Sequence, residues 1–383
     1  MKCPRCLNTD PAYFYHGSKG WYCRRCIQFS RVLLEEEKNP VSLSTIPEHA
    51  EEYTLKYPLT KDQSRISRQC AEGVKESDVL IFAVTGAGKT ELVVESIASA
   101  LKRKQKVCFA IARRQVVLEL QQRLQEIFTE SLVIAVCGGH TAITDGDLIV
   151  CTTHQLYRYY QAFDLLILDE PDAFPYRGDA VLHGIAETAC RGHRIYLTAT
   201  PDEQLLNQVK QGTLIQLKLN SRPHGHPLPV PVLFCAPEGF LLIRLLHWIH
   251  AHSNHPRMIF VPKIIQAERM GKALNLILGK CDVCTSHTEA RDDVIQHFRS
   301  EPAGLIVATT VLERGVTVPG ADVCVYEADS RIFDEAGLIQ MAGRAGRSFV
   351  SPEGDVLFLL KERSLLAERC VSVLKEANTS CGV

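Results

Sequence analysis

The run Val79-Leu80-Ile81-Phe82-Ala83-Val84-Thr85-Gly86-Ala87-Gly88-Lys89-Thr90 decides the fold. Val79–Val84 is an apolar run of strand length, and Glu91–Lys102 beyond it has helical spacing. A glycine-bearing loop between a strand and a helix is the setting of a phosphate cradle. The backbone N–H groups of Thr85, Gly86, Ala87 and Gly88 can curl round an anion there, because glycine tolerates the dihedrals required. Lys89 is then placed to reach the β- and γ-phosphates of a nucleotide, and the Thr90 hydroxyl to ligate Mg2+. Ala83 stands where the general pattern has glycine, a small departure.

Working outward, Leu165-Leu166-Ile167-Leu168-Asp169-Glu170 is an apolar strand ending in two carboxylates. Open parallel sheets bind ligands at the carboxyl ends of their strands, so this pair is predicted to emerge beside the loop. Asp169 is the expected Mg2+ partner, and Glu170 the group that orients and deprotonates an attacking water. Thr198-Ala199-Thr200 follows a further strand and is expected to link this site to the rest of the molecule. Buried strands are read at Val79–Val84, Val107–Ile111, Leu132–Val136, Asp147–Cys151, Leu165–Leu168 and Ile195–Thr198, with a second helix at Gln115–Phe128.

Ser221–Pro231, with prolines at 223, 227, 229 and 231, marks an internal boundary. Beyond it the alternation resumes, with strands at Met258–Val261, Val283–Ser286, Leu305–Thr309, Val323–Tyr326 and Val356–Leu360. Helices are read at Gly239–His252, Gln266–Leu278, Thr288–Phe298 and Ala336–Ala342. Gln340-Met341-Ala342-Gly343-Arg344-Ala345-Gly346-Arg347 is read as two arginines three apart on one helix face. A cation on the γ-phosphate speeds phosphoryl transfer by roughly 10³–10⁵. Gln340, Arg344 and Arg347 therefore join Lys89, Asp169 and Glu170 as candidate catalytic residues.

The N-terminus reads differently. Cys3-x-x-Cys6 and Cys23-x-x-Cys26 have the spacing of a structural four-cysteine zinc ribbon, a region too small to fold on a core of its own. Residues 1–31 carry six basic residues against Asp10, a local charge of +5, with six aromatic residues interleaved. That composition suits single-stranded nucleic acid and a protein-docking surface equally. The chain is thus read as a zinc-binding module (1–31), a connecting arm (32–58), a first lobe (59–220), a linker (221–231) and a second lobe (232–383).

Composition sets the outer limits. Of the 383 residues 46% are hydrophobic and 23% charged, which excludes wholesale disorder. A net charge of −1 excludes a globally basic coat, so any polyanion site must be local. No apolar run reaches the roughly 18 residues of a membrane span, and Met1-Lys2-Cys3-Pro4 does not open a signal peptide. With fifteen cysteines, the expectation is a reducing, cytosolic protein.

From the phosphate loop through Asp169-Glu170 and Thr198-Ala199-Thr200 to Gln340-x-x-Gly343-Arg344-x-Gly346-Arg347, the motifs resemble in order those of superfamily 2 helicases. The chain is more closely similar to the ComFA family, the late-competence DNA-uptake ATPases of naturally transformable Gram-positive bacteria. Val116–Leu120, Thr152–Leu156, Asp169–Tyr176 and Thr310–Thr317 carry that likeness, the Asp172–Tyr176 extension most of all. Ala112 departs from a proline common in the family, and Thr317 stands where many superfamily 2 helicases have aspartate.

The resemblance implies an α/β protein of two RecA-like parallel-sheet lobes in tandem behind a small four-cysteine zinc ribbon. It implies ATP, Mg2+ and Zn2+ as cofactors, with Gln63 on adenine and Gly315 at the nucleotide. Single-stranded DNA would be held by Arg113, Arg114, Gly138, Gly139, Thr152, Thr153 and His154 in the first lobe, and by Thr309 and Thr310 in the second. The implied role is a motor drawing transforming DNA inward at the inner face of the cell membrane, beside other competence proteins of the uptake channel. A replication-restart helicase resembling PriA is the enzyme alternative, disfavoured because no room precedes the motor for a separate DNA-binding domain. A zinc-stabilised scaffold with a vestigial ATPase is the alternative of another class, disfavoured by the complete catalytic set.

Overall fold

Among its described residues the chain is organised by two parallel β-sheets and one antiparallel hairpin. The structure is a computed structural model that describes residues 1–36, 38–47, 52–313, 318–348 and 351–380. It divides into two compact units, one of Met1–Ala83 with Gly88–Leu219, the other of Val84–Ala87 with Asn220–Val383.

In the first unit, β1 (Phe14–Gly17) and β2 (Gly20–Cys23) form the hairpin of the cysteine module. The sheet contains β3 (Asp78–Ala83), β4 (Val107–Ile111), β5 (Val133–Val136), β6 (Leu148–Thr152), β7 (Phe163–Asp169), β8 (Cys190–Thr198) and β9 (Leu214–Leu219). Their order is β5-β6-β4-β7-β8-β3-β9, with every pairing parallel. All five residues of β4 and of β6 are buried, which is why these strands read as unbroken apolar runs. Four helices bear on the site: α1 (Lys61–Gly73), α2 (Lys89–Leu92), α3 (Val94–Lys102) and α4 (Arg114–Ile127). The expected helix over 91–102 is thus two pieces, with Val93 at φ −105° and ψ −3° as the last cap of one and the first cap of the other. A fifth, α5 (Ala180–Ala189), is started by Asp179, whose carboxylate accepts from the N–H groups of Val181 and Leu182.

Strand β8 starts five residues before the expected Ile195. Its first half is polar and partly exposed, and Gly192 passes so close to β7 that a Cβ would stand 2.0 Å from the Asp164 carbonyl. Of the connecting arm, Val41 N–H donates to Tyr160 O at 2.9 Å, Ser44 N–H to Asp145 Oδ2 at 2.8 Å, and Ile46 is buried.

In the second unit, β10 (Val232–Cys235), β11 (Arg257–Phe260), β12 (Asp282–Cys284), β13 (Leu305–Ala308), β14 (Asp322–Tyr326) and β15 (Val356–Leu360) lie in the order β10-β15-β14-β11-β13-β12, again all parallel. The helix Glu335–Ala342 ends before the arginines of its motif. Gly343 caps it, and Gly346 adopts φ 62°, a left-handed conformation that glycine reaches without strain. Arg344 and Arg347 therefore leave from a turn, not from one helix face, which corrects the sequence reading.

Candidate functional site: a nucleotide loop, a nucleic-acid edge and a cysteine cluster

Strands β7, β8 and β3 are neighbours, and the registers Asp169↔Leu197 and Phe82↔Thr198 bring their carboxyl ends level. In the loop leaving β3, Gly86 and Gly88 have φ of 80° and 76°, values a side chain would strain. Two such glycines flanking Ala87, with Lys89 next, have the chemistry of a phosphate nest. Lys89 Nζ donates to the Ala83 carbonyl at 3.2 Å, which keeps the ammonium at the mouth of the loop. Asp169 is the last residue of β7, and Glu170 follows at φ 51°, its N–H held by Leu197 O at 2.8 Å. A non-glycine residue pinned in the left-handed region is strained, a feature that concentrates at functional sites. Asp169 and Thr90 each carry an oxygen donor of the kind Mg2+ takes.

Asp172 has no place among the site residues expected from sequence. It is 3% exposed, and its carboxylate accepts from Thr198 Oγ1 at 2.5 Å and Thr200 Oγ1 at 2.6 Å. The Thr200 N–H closes the network on Thr198 Oγ1 at 2.9 Å. The threonines thus tie the segment after Asp169-Glu170 to the end of β8. A third carboxylate three residues past Asp169 was the available signal. Gln63 lies at the start of α1, where its side-chain oxygen accepts from Thr60 N–H and its own N–H donates to Thr60 Oγ1, a capping box.

The other half of the edge gathers the first-lobe nucleic-acid candidates. The registers Ile111↔Thr152 and Val136↔Cys151 level the ends of β4, β6 and β5. Arg113 and Arg114 start α4, Thr152 ends β6, and Thr153 and His154 open the 3-10 turn Thr153–Arg158. Arg114 Nε donates to Gly138 O at 2.8 Å, joining two of the candidates directly. Gly139, at φ 80°, and Gly138 are exposed and have open space where a Cβ would be. Thr153 is 3% exposed, yet its hydroxyl has no hydrogen-bond partner among the described residues.

In the second unit, Thr309 and Thr310 follow β13, with Thr309 N–H on Cys284 O at 3.3 Å. Gln340 is fully buried, and neither of its amide atoms has a partner among the described residues. Arg344 is buried, with Nε and Nη2 on Glu313 O at 2.9 and 2.6 Å, while half-buried Arg347 donates from Nε to Gly343 O at 2.6 Å. Gly315 lies outside the described residues. Arg222, a lone arginine before the proline-rich stretch and missed by sequence reasoning, is buried against this turn. Its Nη1 donates to Ala345 O and Gly346 O at 3.0 and 2.5 Å, and its Nη2 to Gly343 O at 3.3 Å. Burial, then the Arg347 charge, lowers its pKa to about 9.

The four N-terminal cysteines are all buried, with their sulfurs within 4.8 Å of one another. The Cys3–Cys26 and Cys6–Cys23 sulfur pairs are each 3.8 Å apart. An ion with metal–sulfur bonds of about 2.3 Å in a tetrahedron holds its sulfurs about 3.8 Å apart, so the cluster fits zinc. Hydrogen bonds from Cys26 and Cys6 hold the Cys3 thiol far below its usual range, while contacts with Cys3 and Cys6 push Cys26 far above it. Shared protons of this kind are what a cation displaces. The module is fixed to the first unit. Cys6 O lies where a Cβ on Gly184 of α5 would come within 2.1 Å, and Thr188 Oγ1 donates to Arg5 O at 2.8 Å.

Residues 56–203 match the family model of the type III restriction enzyme res subunit, and residues 240–349 that of the helicase conserved C-terminal domain. Among solved structures, S. cerevisiae Dbp5 bound to RNA and ADP BeF3 shares the fold, with a TM-score of 0.66 at 16% identity over 83% of this chain and 87% of that one. Fold and motifs together define an ATP-hydrolysing, helicase-like motor of superfamily 2. Within that class, "Competence protein ComFA" of Streptococcus pneumoniae (strain ATCC BAA-255 / R6) is 34% identical over 397 residues, covering 100% of this chain and 91% of its own length. The Bacillus subtilis (strain 168) protein of the same name is 35% identical over 404 residues, covering 98% and 85%. The chain belongs to the ComFA family of competence proteins. Among the described residues, no helix is long and apolar enough to cross a membrane.

Proposed function

We propose that the chain is a single-stranded-DNA-dependent ATPase that drives transforming DNA inward during competence, at the inner face of the cell membrane and beside other competence proteins. One observation supports this most. A single parallel sheet carries the phosphate loop and carboxylates at the ends of β3 and β7, and hydroxyl, guanidinium and glycine groups suited to a sugar-phosphate chain at the ends of β4, β5 and β6.

In this reading Thr85 to Gly88 and Lys89 hold the phosphates, and Thr90 and Asp169 hold Mg2+. Held by Thr90 and Asp169, Mg2+ would supply positive charge against the negative charge that develops on the transferred phosphoryl group. Glu170 orients the attacking water and takes its proton. Arg347 supplies the cation of the second lobe, Arg344 anchors the Glu313 backbone, and Gln340 belongs to the same catalytic motif. Gln63, whose side-chain oxygen also caps α1, contacts adenine. Arg113, Arg114, Gly138, Gly139, Thr152, Thr153, His154, Thr309 and Thr310 contact the strand. Cys3, Cys6, Cys23 and Cys26 hold Zn2+ as a structural crosslink.

ATP turnover with and without single-stranded DNA tests the motor. Stimulation in the wild type and its loss in Lys89→Ala are expected, whereas an unstimulated wild type, or unchanged turnover in the variant, would sink it. Strand displacement on tailed duplexes then separates unwinding from tracking.

A further inference from the structure

The cysteine module carries cations that the hydrolytic cycle does not use. Arg25, Arg24 and Arg31 each lie over a tyrosine ring, 5.1 Å from the centroid of Tyr13, 5.9 Å from Tyr15 and 4.6 Å from Tyr22. Tyr15 and Tyr22 are cross-strand partners in the β1–β2 register and meet edge to face at 5.6 Å, so two of the three pairs belong to one face of the hairpin. All three arginines are exposed, and none forms an ion pair among the described residues; Arg25 Nη1 donates to Asn8 Oδ1 at 3.0 Å. A guanidinium stacked on a ring keeps its edge donors outward in a fixed fork, the geometry that recognises phosphate. Holding it there in advance reduces the entropy lost on binding.

The module also abuts a strand-binding candidate. Phe29 packs 5.4 Å from Tyr157 and 6.1 Å from His154, and Arg5 lies 5.9 Å from the Tyr157 centroid. Tyr157 and His154 belong to the turn that begins with Thr153. Guanidinium forks beside exposed tyrosines match a chain that alternates phosphates with stacking bases better than they match an acidic protein surface, which offers no bases.

We propose that Arg24, Arg25 and Arg31 of the module, which packs through Phe29 against the turn holding His154, form a second single-stranded nucleic-acid contact that adds phosphate contacts to those of the motor. This rests on the reading of the chain as a nucleic-acid motor. The test is equilibrium binding of a fluorescent oligothymidylate to the full zinc-loaded chain across a salt series. On a single strand, each phosphate that is no longer neutralised takes about 0.7 off the slope of log K against log salt. The triple variant Arg24→Gln, Arg25→Gln, Arg31→Gln is expected to flatten the slope by about 2 while keeping its zinc. Arg24→Lys, Arg25→Lys, Arg31→Lys should retain most of the slope.

An unchanged slope in the glutamine variant overturns the proposal and leaves the face to a protein partner, with wild-type binding and the motor reading intact. A wild type that does not bind the oligonucleotide overturns both. Ultraviolet crosslinking of the wild type gives a check independent of any variant: adducts on Tyr13 or Tyr15 support the contact, and adducts confined to residues beyond the module overturn it.

Discussion

At the carboxyl edge of the first sheet, β7 and β8 end in side chains bonded to one another, Asp172 with Thr198 and Thr200. At the same edge β4, β5 and β6 end in exposed glycines, an arginine on a backbone carbonyl and a buried threonine hydroxyl with no partner among the described residues. Under the proposed function, the difference follows from what each half must do. Phosphoryl transfer rewards charges fixed before the reaction begins. A grip that must accept any base sequence rewards backbone-directed groups whose bonding capacity is completed by the strand itself.

Variants can break this contrast, and the largest effect is expected on the catalytic half. Glu170→Gln should lower kcat for ATP by about 10² or more, since the amide cannot accept the water's proton, with strand affinity kept. Equal losses in both would merge the two halves into one site. Asp172→Asn replaces one of the two accepting oxygens by an NH2 donor, so that one threonine hydroxyl loses its acceptor, and should cost about 1–3 kcal/mol, read as a lower melting temperature, together with weaker stimulation of turnover by DNA. Stimulation that survives the loss of stability would make the network purely structural. Thr153→Val sharpens the contrast most finely. Because the hydroxyl has no partner among the described residues, its removal should leave stability equal or higher. Strand affinity should fall about fivefold, close to 1 kcal/mol. A destabilised Thr153→Val chain would show that the hydroxyl serves the fold instead.

The phosphate loop and Asp169-Glu170 were legible because each is contiguous, and because the apolar runs beside them are buried on both faces. The Asp172 network was not, since its partners lie more than twenty residues away and meet only through the β7–β8 register. The arginines of the second unit have a spacing of three that fits a helix face, but Gly343 and Gly346 end the helix first. β9 and the start of β8 are hard to read because half-exposed strands carry polar residues that hide their period. The cysteine spacing announces a metal cluster, yet nothing local announces its seat. Gly184 reads as a poor helix residue, and only the close passage of Cys6 explains it.

That passage has a thermodynamic consequence. The four cysteines, Phe14 and Phe29 share one apolar core with residues of β6, β7 and α5, so the module is a wall of the first unit. A ligand bound only by the folded state stabilises it by RT ln(1 + [L]/Kd), about 2.7 kcal/mol at a hundredfold excess over Kd. The melting temperature of the whole unit is therefore expected to climb with the logarithm of free zinc in buffered calorimetry. A melting point indifferent to zinc would uncouple the two. With zinc held as proposed, the cell's zinc activity would by this linkage become an input to the motor, setting what fraction of chains keeps α5 and the Thr153–Arg158 turn in place.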